Sequence, residues 1–196
     1  MTVQLKEAPS LPTHNTIVDF IEGIFQRRGS DAYLGESVTM AEHMLQAAWC
    51  AEQDGGTPEM IAAALLHDLG HFTSEIPEDR LMKGTDNFHQ EAGARFLERF
   101  FPDEVVEPIR QHVAAKRYLC AVDPDYFGKL SDASVYTLEL QGGPMSADEV
   151  AAFERNPHLD SCIRVRLWDD QGKDPDMPHP GFKRYRPLLE SLIVAR

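Results

Sequence analysis

His67 and Asp68 are neighbours in the most apolar stretch of the chain, Met60 to Leu69. An unpaired aspartate is expensive to bury, so this pair must answer to something in the interior. Taken alone it fits two readings: a hydrogen-bonded core pair, or two ligands for a dication in the centre of a helical bundle. His43, His89 and His112 each fall on a separate helical stretch, on or beside its apolar stripe, and Asp169 follows Arg-Leu-Trp at the end of another. A lone histidine on an apolar face is ordinarily a satisfied core residue. Five helical stretches each sending an imidazole or carboxylate inward describe a metal centre instead. Nitrogen and oxygen ligands without thiolate suit iron, manganese or zinc, not an iron–sulfur or thiolate zinc site.

The elements that must carry these residues are legible from helical periodicity and its stop signals. Ile17, Val18, Phe20, Ile21, Ile24 and Phe25 recur at helical spacing and end at Arg27-Arg28-Gly29. Thr39-Met-Ala-Glu42 reads as the capping box of a second helix, which bears His43 and ends at Gly55-Gly56. Thr57-Pro58 opens a third, apolar nearly all round and running through His67-Asp68 to Leu69. Helices near 88 to 101 and 103 to 120, parted by Pro102, carry His89 and His112. The periodicity predicts further helices over Tyr126 to Leu140, after the cap Ser146-Ala-Asp-Glu149, and over 158 to 169. A Pro-, Gly- and Asp-rich stretch, 170 to 181, precedes a short terminal helix. Nothing alternates with period two for long enough to make a sheet. The expected fold is all-α: a loose leader over 1–13, then one helical bundle over 14–196.

Composition narrows the partners. The 196 residues carry 19 basic and 32 acidic side chains, a net charge of −13. Such a surface repels phosphate backbones and anionic lipid, so neither nucleic acid nor a membrane surface is an expected partner. An anionic ligand would have to be captured by a local basic pocket. Cys50, Cys120 and Cys162 are scattered, without a C-x-x-C, as in a reducing compartment. The longest apolar run, Met60 to Leu66, is too short to span a bilayer, and the N-terminus lacks the pattern of a signal peptide. The expected location is the cytoplasm.

The order His43, His67-Asp68, Asp169 is the H…HD…D pattern of the HD-domain superfamily, and the inserted His89 and His112 resemble the extra pair of its two-metal branch. The segments His67-Asp-Leu-Gly-His71, His112-Val-Ala-Ala-Lys-Arg-Tyr118, Leu130-Ser-Asp-Ala-Ser134, Leu140-Gln-Gly-Gly-Pro-Met145 and Trp168-Asp169 are more specific. From about Tyr33 to Lys173 the chain resembles the HD-domain mixed-valent diiron oxygenases that cleave carbon–phosphorus bonds, relatives of myo-inositol oxygenase. The resemblance implies two irons, Fe(II)/Fe(III), in the bundle core. It assigns His43, His67, Asp68 and Asp169 to one iron and His89 and His112 to the other, with Asp68 bridging. A carboxylate has two oxygens and can span two metals, which an imidazole cannot.

Lys116 lies one helical turn after His112, and Arg166 three residues before Asp169, so both cations share a face with an implied ligand. The resemblance gives Lys116, Ser134 and Arg166 to a phosphonate; His71, one turn beyond His67, is their expected neighbour. The resemblance also makes Tyr33-Leu-Gly-Glu36 a gate: the tyrosine occupies an open iron position at rest, and the glutamate senses the substrate's ammonium. The implied partners are therefore O2 and a small hydroxylated aminoalkylphosphonate. Two activities compete: cleavage of (R)-1-hydroxy-2-(trimethylammonio)ethylphosphonate to glycine betaine and phosphate, or of (R)-1-hydroxy-2-aminoethylphosphonate to glycine and phosphate. Thr39, one turn after Glu36 and able to turn a methyl group toward the ligand, tilts the choice to the trimethylated substrate. An HD-type metal-dependent phosphohydrolase would use the same ligands. It has no need of a gate against oxygen, so the Tyr33–Glu36 loop separates the two readings. A non-catalytic sensor is disfavoured because every ligand position is filled.

Overall fold

The computed structural model describes residues 11–33, 35–73 and 86–194. The first ten residues of the expected leader, and Leu34 within the expected gate, lie outside that range. Ten α-helices and no strand occur among the described residues; the sole β feature is one bridge between Ala32 and Thr39. The all-α expectation holds.

Helix α1 (Ile17–Arg28) turns Ile17, Val18, Ile21 and Ile24 inward, the i, i+1, i+4, i+7 face read from the sequence. Helix α2 (Met40–Gln53) opens on the capping box: Thr39 Oγ1 accepts from the Glu42 amide, and the Glu42 carboxylate accepts from the Thr39 amide. Helix α3 (Pro58–Leu66) starts from the Thr57 side-chain cap with proline in its first turn. Its residues Ala62 to Leu66 are fully buried. Complete burial of each leucine side chain contributes roughly 1.5–3 kcal/mol, so this helix is the spine of the core. The long α6 (Asp103–Val122) and α9 (Leu159–Gln171) pack with α2 and α3 around that spine. Helix α8 (Ala147–Phe153) rests on a smaller cluster of Ala115, Phe153 and Cys162, and α10 (Arg186–Ser191) closes the far end against α1. Among the described residues no helix is long and apolar enough to cross a membrane.

Three boundaries differ from the sequence reading. Helix α3 stops at Leu66 and does not reach Leu69; Leu69, His71 and Phe72 donate to the carbonyls three residues back, which tightens the chain into successive turns before α4 (Gly70–Thr73). Helix α5 (His89–Leu97) is shorter than 88 to 101: the left-handed Phe88 delays its start to His89, and the chain turns out of the helix after Leu97, whose carbonyl accepts from the Phe100 and Phe101 amides. The stretch Tyr126 to Leu140 is a 3-10 turn, Phe127–Lys129, followed by α7 (Asp132–Leu140). The break comes at Ser131, whose side chain caps α7 by accepting from the Ser134 amide.

Helices α4 and α5 touch through Gly70 and Gly93. A Cβ on Gly70 would stand 1.8 Å from the His89 carbonyl oxygen and 2.8 Å from the Gly93 amide. Backbone, not a flexible side-chain tip, blocks that space. Gly70→Ala should therefore force α5 away, destabilise the fold by about 1–3 kcal/mol or more, and displace His89. Denaturant unfolding checks the first effect. An unfolding midpoint equal to wild type would show that α5 is free to shift.

Candidate metal centre

Four imidazoles meet in the core, and their outer nitrogens are all tied to carbonyl oxygens. His43 Nδ1 lies 2.8 Å from Gly172 O, His67 Nδ1 2.8 Å from Ala64 O, His112 Nδ1 2.8 Å from Ile109 O, and His89 Nδ1 3.0 Å from the Asn87 side-chain carbonyl. A carbonyl only accepts, so each Nδ1 carries the hydrogen and each neutral ring turns a bare Nε2 lone pair inward. Those lone pairs face one another: His43 Nε2 is 3.0 Å from His67 Nε2, and His89 Nε2 is 3.0 Å from His112 Nε2. Two lone pairs repel at that range unless positive charge serves both.

Asp68 joins the two pairs. Its Oδ2 is 3.4 Å from both His43 Nε2 and His67 Nε2, while its Oδ1 is 3.4 Å from His89 Nε2 and 3.6 Å from His112 Nε2. Asp169 Oδ1 adds to the first pair at 3.5 and 3.8 Å. Asp169 Oδ2 accepts from Arg166 Nη1 at 2.7 Å, which leaves Oδ1 for the centre. Asp68 Oδ2 and Asp169 Oδ1 are buried with no hydrogen-bond partner among the described residues. Buried carboxylate atoms are ordinarily satisfied, so orphaned oxygens beside bare imidazole lone pairs fit bound dications. Two groups that could hold an ion result, His43, His67, Asp169 and Asp68, His71, His89; His112 shares the second through His89 and Asp68.

In the metal-free centre a proton stands in for a dication at the first group: burial works against charge on His67, but Asp68 and Asp169 outweigh it and push its pKa up to about 9, so a metal ion binding there displaces that proton. Burial opposes ionisation of Asp68 too, yet the surrounding histidines hold it well below the usual carboxylate range. His112 is pushed down to about 4 by burial and then by His67, and His89 is also held low. The asymmetry follows the carboxylates: the first group faces Asp68 and Asp169, the second one oxygen of Asp68.

Local chain geometry explains how neighbours converge. His67 and Asp68 diverge around the chain, and both reach the centre because the chain passes it side-on: His67 Nε2 faces the first group, and Asp68 lies between the two groups. Gly172 lets the end of α9 approach α2, since a Cβ there would meet His43 O at 2.9 Å. Phe88, at φ 49°, places Asn87 and His89 on the same side.

Asn87 is a site residue that periodicity missed. Its carbonyl fixes the His89 tautomer, and its Nδ2 lies 3.2 Å from His71 Nδ1. The only signal was its position two residues before a histidine. Asn87→Ala should weaken metal binding at the second group by about 10–100-fold, the usual cost of losing a partner behind a ligand, and spare the first. Titration of metal-free protein checks this; equal weakening at both groups would overturn the division.

The remaining expected residues, Thr39 excepted, line one pocket beside the centre. Tyr33, Glu36, His71, Lys116, Ser134 and Arg166 share its wall with Asp68, His89, His112 and Asp169. His71 stacks on His89 with ring centroids 4.1 Å apart, and its Nε2 is 3.8 Å from Asp68 Oδ1. Tyr33 stacks on His43 at 4.0 Å; burial, then Asp68 and Asp169, keep its phenol protonated. Lys116 is 2% exposed and donates to Thr137 Oγ1 at 2.8 Å. Arg166 is more committed than expected: besides Asp169 it binds Asp170 and, at 3.0 Å, the Tyr126 hydroxyl. Thr39 is a correction. It does not line the pocket, and its hydroxyl is consumed by the α2 capping box, so it turns no methyl group toward a ligand. Lys173 was also missed, although it stands four residues after Asp169, the same spacing that flagged Lys116. Its Nζ donates to Ser134 Oγ at 2.8 Å and lies 3.6 Å from Glu36 Oε1.

Residues 40–148 match the family model of the HD domain. Over 177 residues, 90% of each chain, the sequence is 54% identical to the glycine-betaine-forming 1-hydroxy-2-(trimethylamino)ethylphosphonate dioxygenase of Leisingera caerulea. Over 171 residues, 87% of this chain and 85% of the other, it is 44% identical to the hydroxymethylphosphonate dioxygenase of Gimesia maris.

Proposed function

The chain belongs to the HD-domain family, and we propose that it is an iron- and O2-dependent dioxygenase that splits the carbon–phosphorus bond of (R)-1-hydroxy-2-(trimethylammonio)ethylphosphonate, giving glycine betaine and phosphate. The observation that carries this reading is the juxtaposition of a two-part histidine and aspartate centre with a pocket whose wall bears the cations Lys116 and Arg166 and the carboxylate Glu36.

His43, His67, Asp68 and Asp169 would hold one iron; His89, His112 and the second oxygen of Asp68 would hold the other. The bound Fe(II)/Fe(III) pair supplies oxygen activation and the redox capacity of the reaction. The chain's own residues bind and aim the substrate. Lys116 neutralises the phosphonate, and the Ser134 hydroxyl, which accepts from Lys173, keeps its own proton to donate. Arg166 spends three of its five N–H groups on Asp169, Asp170 and Tyr126; the remaining two are available to the same anion. In the same wall Glu36, which accepts from Ser131 Oγ at 2.6 Å, faces the substrate's cation. A quaternary ammonium has no N–H and is bound by aromatic faces and carboxylates, which Tyr33 and Glu36 provide. The identity to the Leisingera enzyme, with Thr39 no longer an argument, supports the trimethylated substrate over the free amine. Tyr33, as a neutral phenol over His43, suits a gate that keeps the centre closed until substrate arrives.

Iron analysis combined with product identification on the two phosphonates tests the proposal. Glycine betaine and phosphate should form in air with two irons per chain. Phosphate release undiminished without oxygen would replace the reading with a phosphohydrolase, and faster turnover of the free amine would change the substrate.

A further inference from the structure

Lys173 touches the pocket on two sides without lining it. It follows Gly172 at the end of α9, and its side chain is only 10% exposed. On the phosphonate-binding side its Nζ donates to Ser134 Oγ at 2.8 Å. On the other side it lies 3.6 Å from Glu36 Oε1, and among the described residues it is the one cation paired with that carboxylate. Its other acidic neighbours, Asp169 and Asp170 at 3.9 and 3.7 Å, are already served by Arg166. Lys173 therefore occupies the place, next to Glu36, that a ligand's cation must share. While its charge is directed there, Glu36 holds an incoming cation weakly. An anion settling against Ser134 and Lys116 claims the same ammonium, whose nearest partner is already the Ser134 hydroxyl, and leaves Glu36 uncompensated.

We propose that Lys173 is a positioning and specificity-determining residue, a shared counter-ion of Ser134 and Glu36 that makes the pocket bind anion and cation cooperatively and so select zwitterions over either charge alone. This deepens, and rests on, the phosphonate reading of the pocket.

The test needs no turnover. Calorimetric titration of the iron-loaded protein, without oxygen, measures binding of inorganic phosphate and of tetramethylammonium, each alone and each in the presence of the other. In wild type, saturating phosphate should tighten tetramethylammonium binding by about tenfold, and tetramethylammonium should tighten phosphate by the same factor, as linkage requires. In Lys173→Met, tetramethylammonium alone should bind as tightly as it does to phosphate-saturated wild type, and the coupling should vanish. A merely structural lysine would not improve cation binding when removed. Ser134→Ala leaves the pair between Lys173 and Glu36 intact and serves if the lysine variant loses iron or does not fold. It should bind tetramethylammonium alone as wild type does, with reduced coupling. Independent binding of the two ions by wild type would overturn the inference and leave the reading of the pocket standing. Failure of wild type to bind either ion would overturn both.

Discussion

Asp68→Ala should strip both metal ions from the protein and abolish turnover. Among the described residues the carboxylate is the only group whose two oxygens serve different histidine pairs, Oδ2 at 3.4 Å from His43 and His67, Oδ1 at 3.4 and 3.6 Å from His89 and His112. Without it the second group is reduced to His89 and His112, with His71 nearby, and the first to His43, His67 and Asp169. The loss at each should exceed the about 10–100-fold that follows removal of a mere ligand partner. Asp169→Ala supplies the contrast, because Asp169 reaches only the first pair. It should leave the second ion better retained. The metal-free proteins separate metal loss from unfolding. Without metal the Asp68 carboxylate pairs with the histidines around it, which hold its pKa well below the usual range, so metal-free Asp68→Ala should melt lower than metal-free wild type. A cooperative unfolding transition in that variant shows that the metal is lost from a folded chain. Metal analysis and thermal unfolding of the three proteins decide the matter. Wild-type metal content in Asp68→Ala would remove Asp68 as the bridge.

The centre was legible in the sequence because its ligands are residue types that do not belong in an apolar core. His67 and Asp68 stand out within Ala62 to Leu69, and His43, His89 and His112 stand out on apolar stripes. Helical periodicity then placed them on converging elements, and the capping boxes at Thr39 and Ser146 marked true helix starts. What escaped was whatever depends on backbone departures from the helix. The turns after Leu66 and the left-handed Phe88 leave no periodic trace, and with them went the role of Asn87. Thr39 misled for a related reason: one turn after Glu36 on an ideal helix it would share a face with it, but the chain there is a loop and Thr39 is the cap. Lys173 obeyed the spacing rule that found Lys116 and was passed over because it sits just beyond the helix end, where that rule carries no weight.

Lys116→Ala should raise KM for the phosphonate and leave both metals in place. Burial, then the neighbouring Arg166 guanidinium, push the Lys116 pKa down to about 7, and its direct partner is a neutral hydroxyl, Thr137 Oγ1. A buried ammonium without a touching carboxylate is held ready for an anion. Losing one charge-assisted contact costs on the order of 1.5–3 kcal/mol, roughly a 10- to 150-fold rise in KM. The same residue sets a pH dependence whose sign is fixed. Only the charged form attracts the phosphonate, and in the free enzyme half of that form is gone at about pH 7. kcat/KM should therefore fall as pH rises through about 7, whereas kcat, which reports the substrate complex, should hold to higher pH because the bound anion raises the lysine's pKa. Lys116→Arg keeps the charge at every accessible pH and should lose this fall. The profiles of wild type, Lys116→Ala and Lys116→Arg, measured on one metal-loaded preparation each, decide it. An unchanged KM in Lys116→Ala, or the same fall near pH 7 in Lys116→Arg, would mean that the anion is held by Arg166 and Ser134 without the lysine.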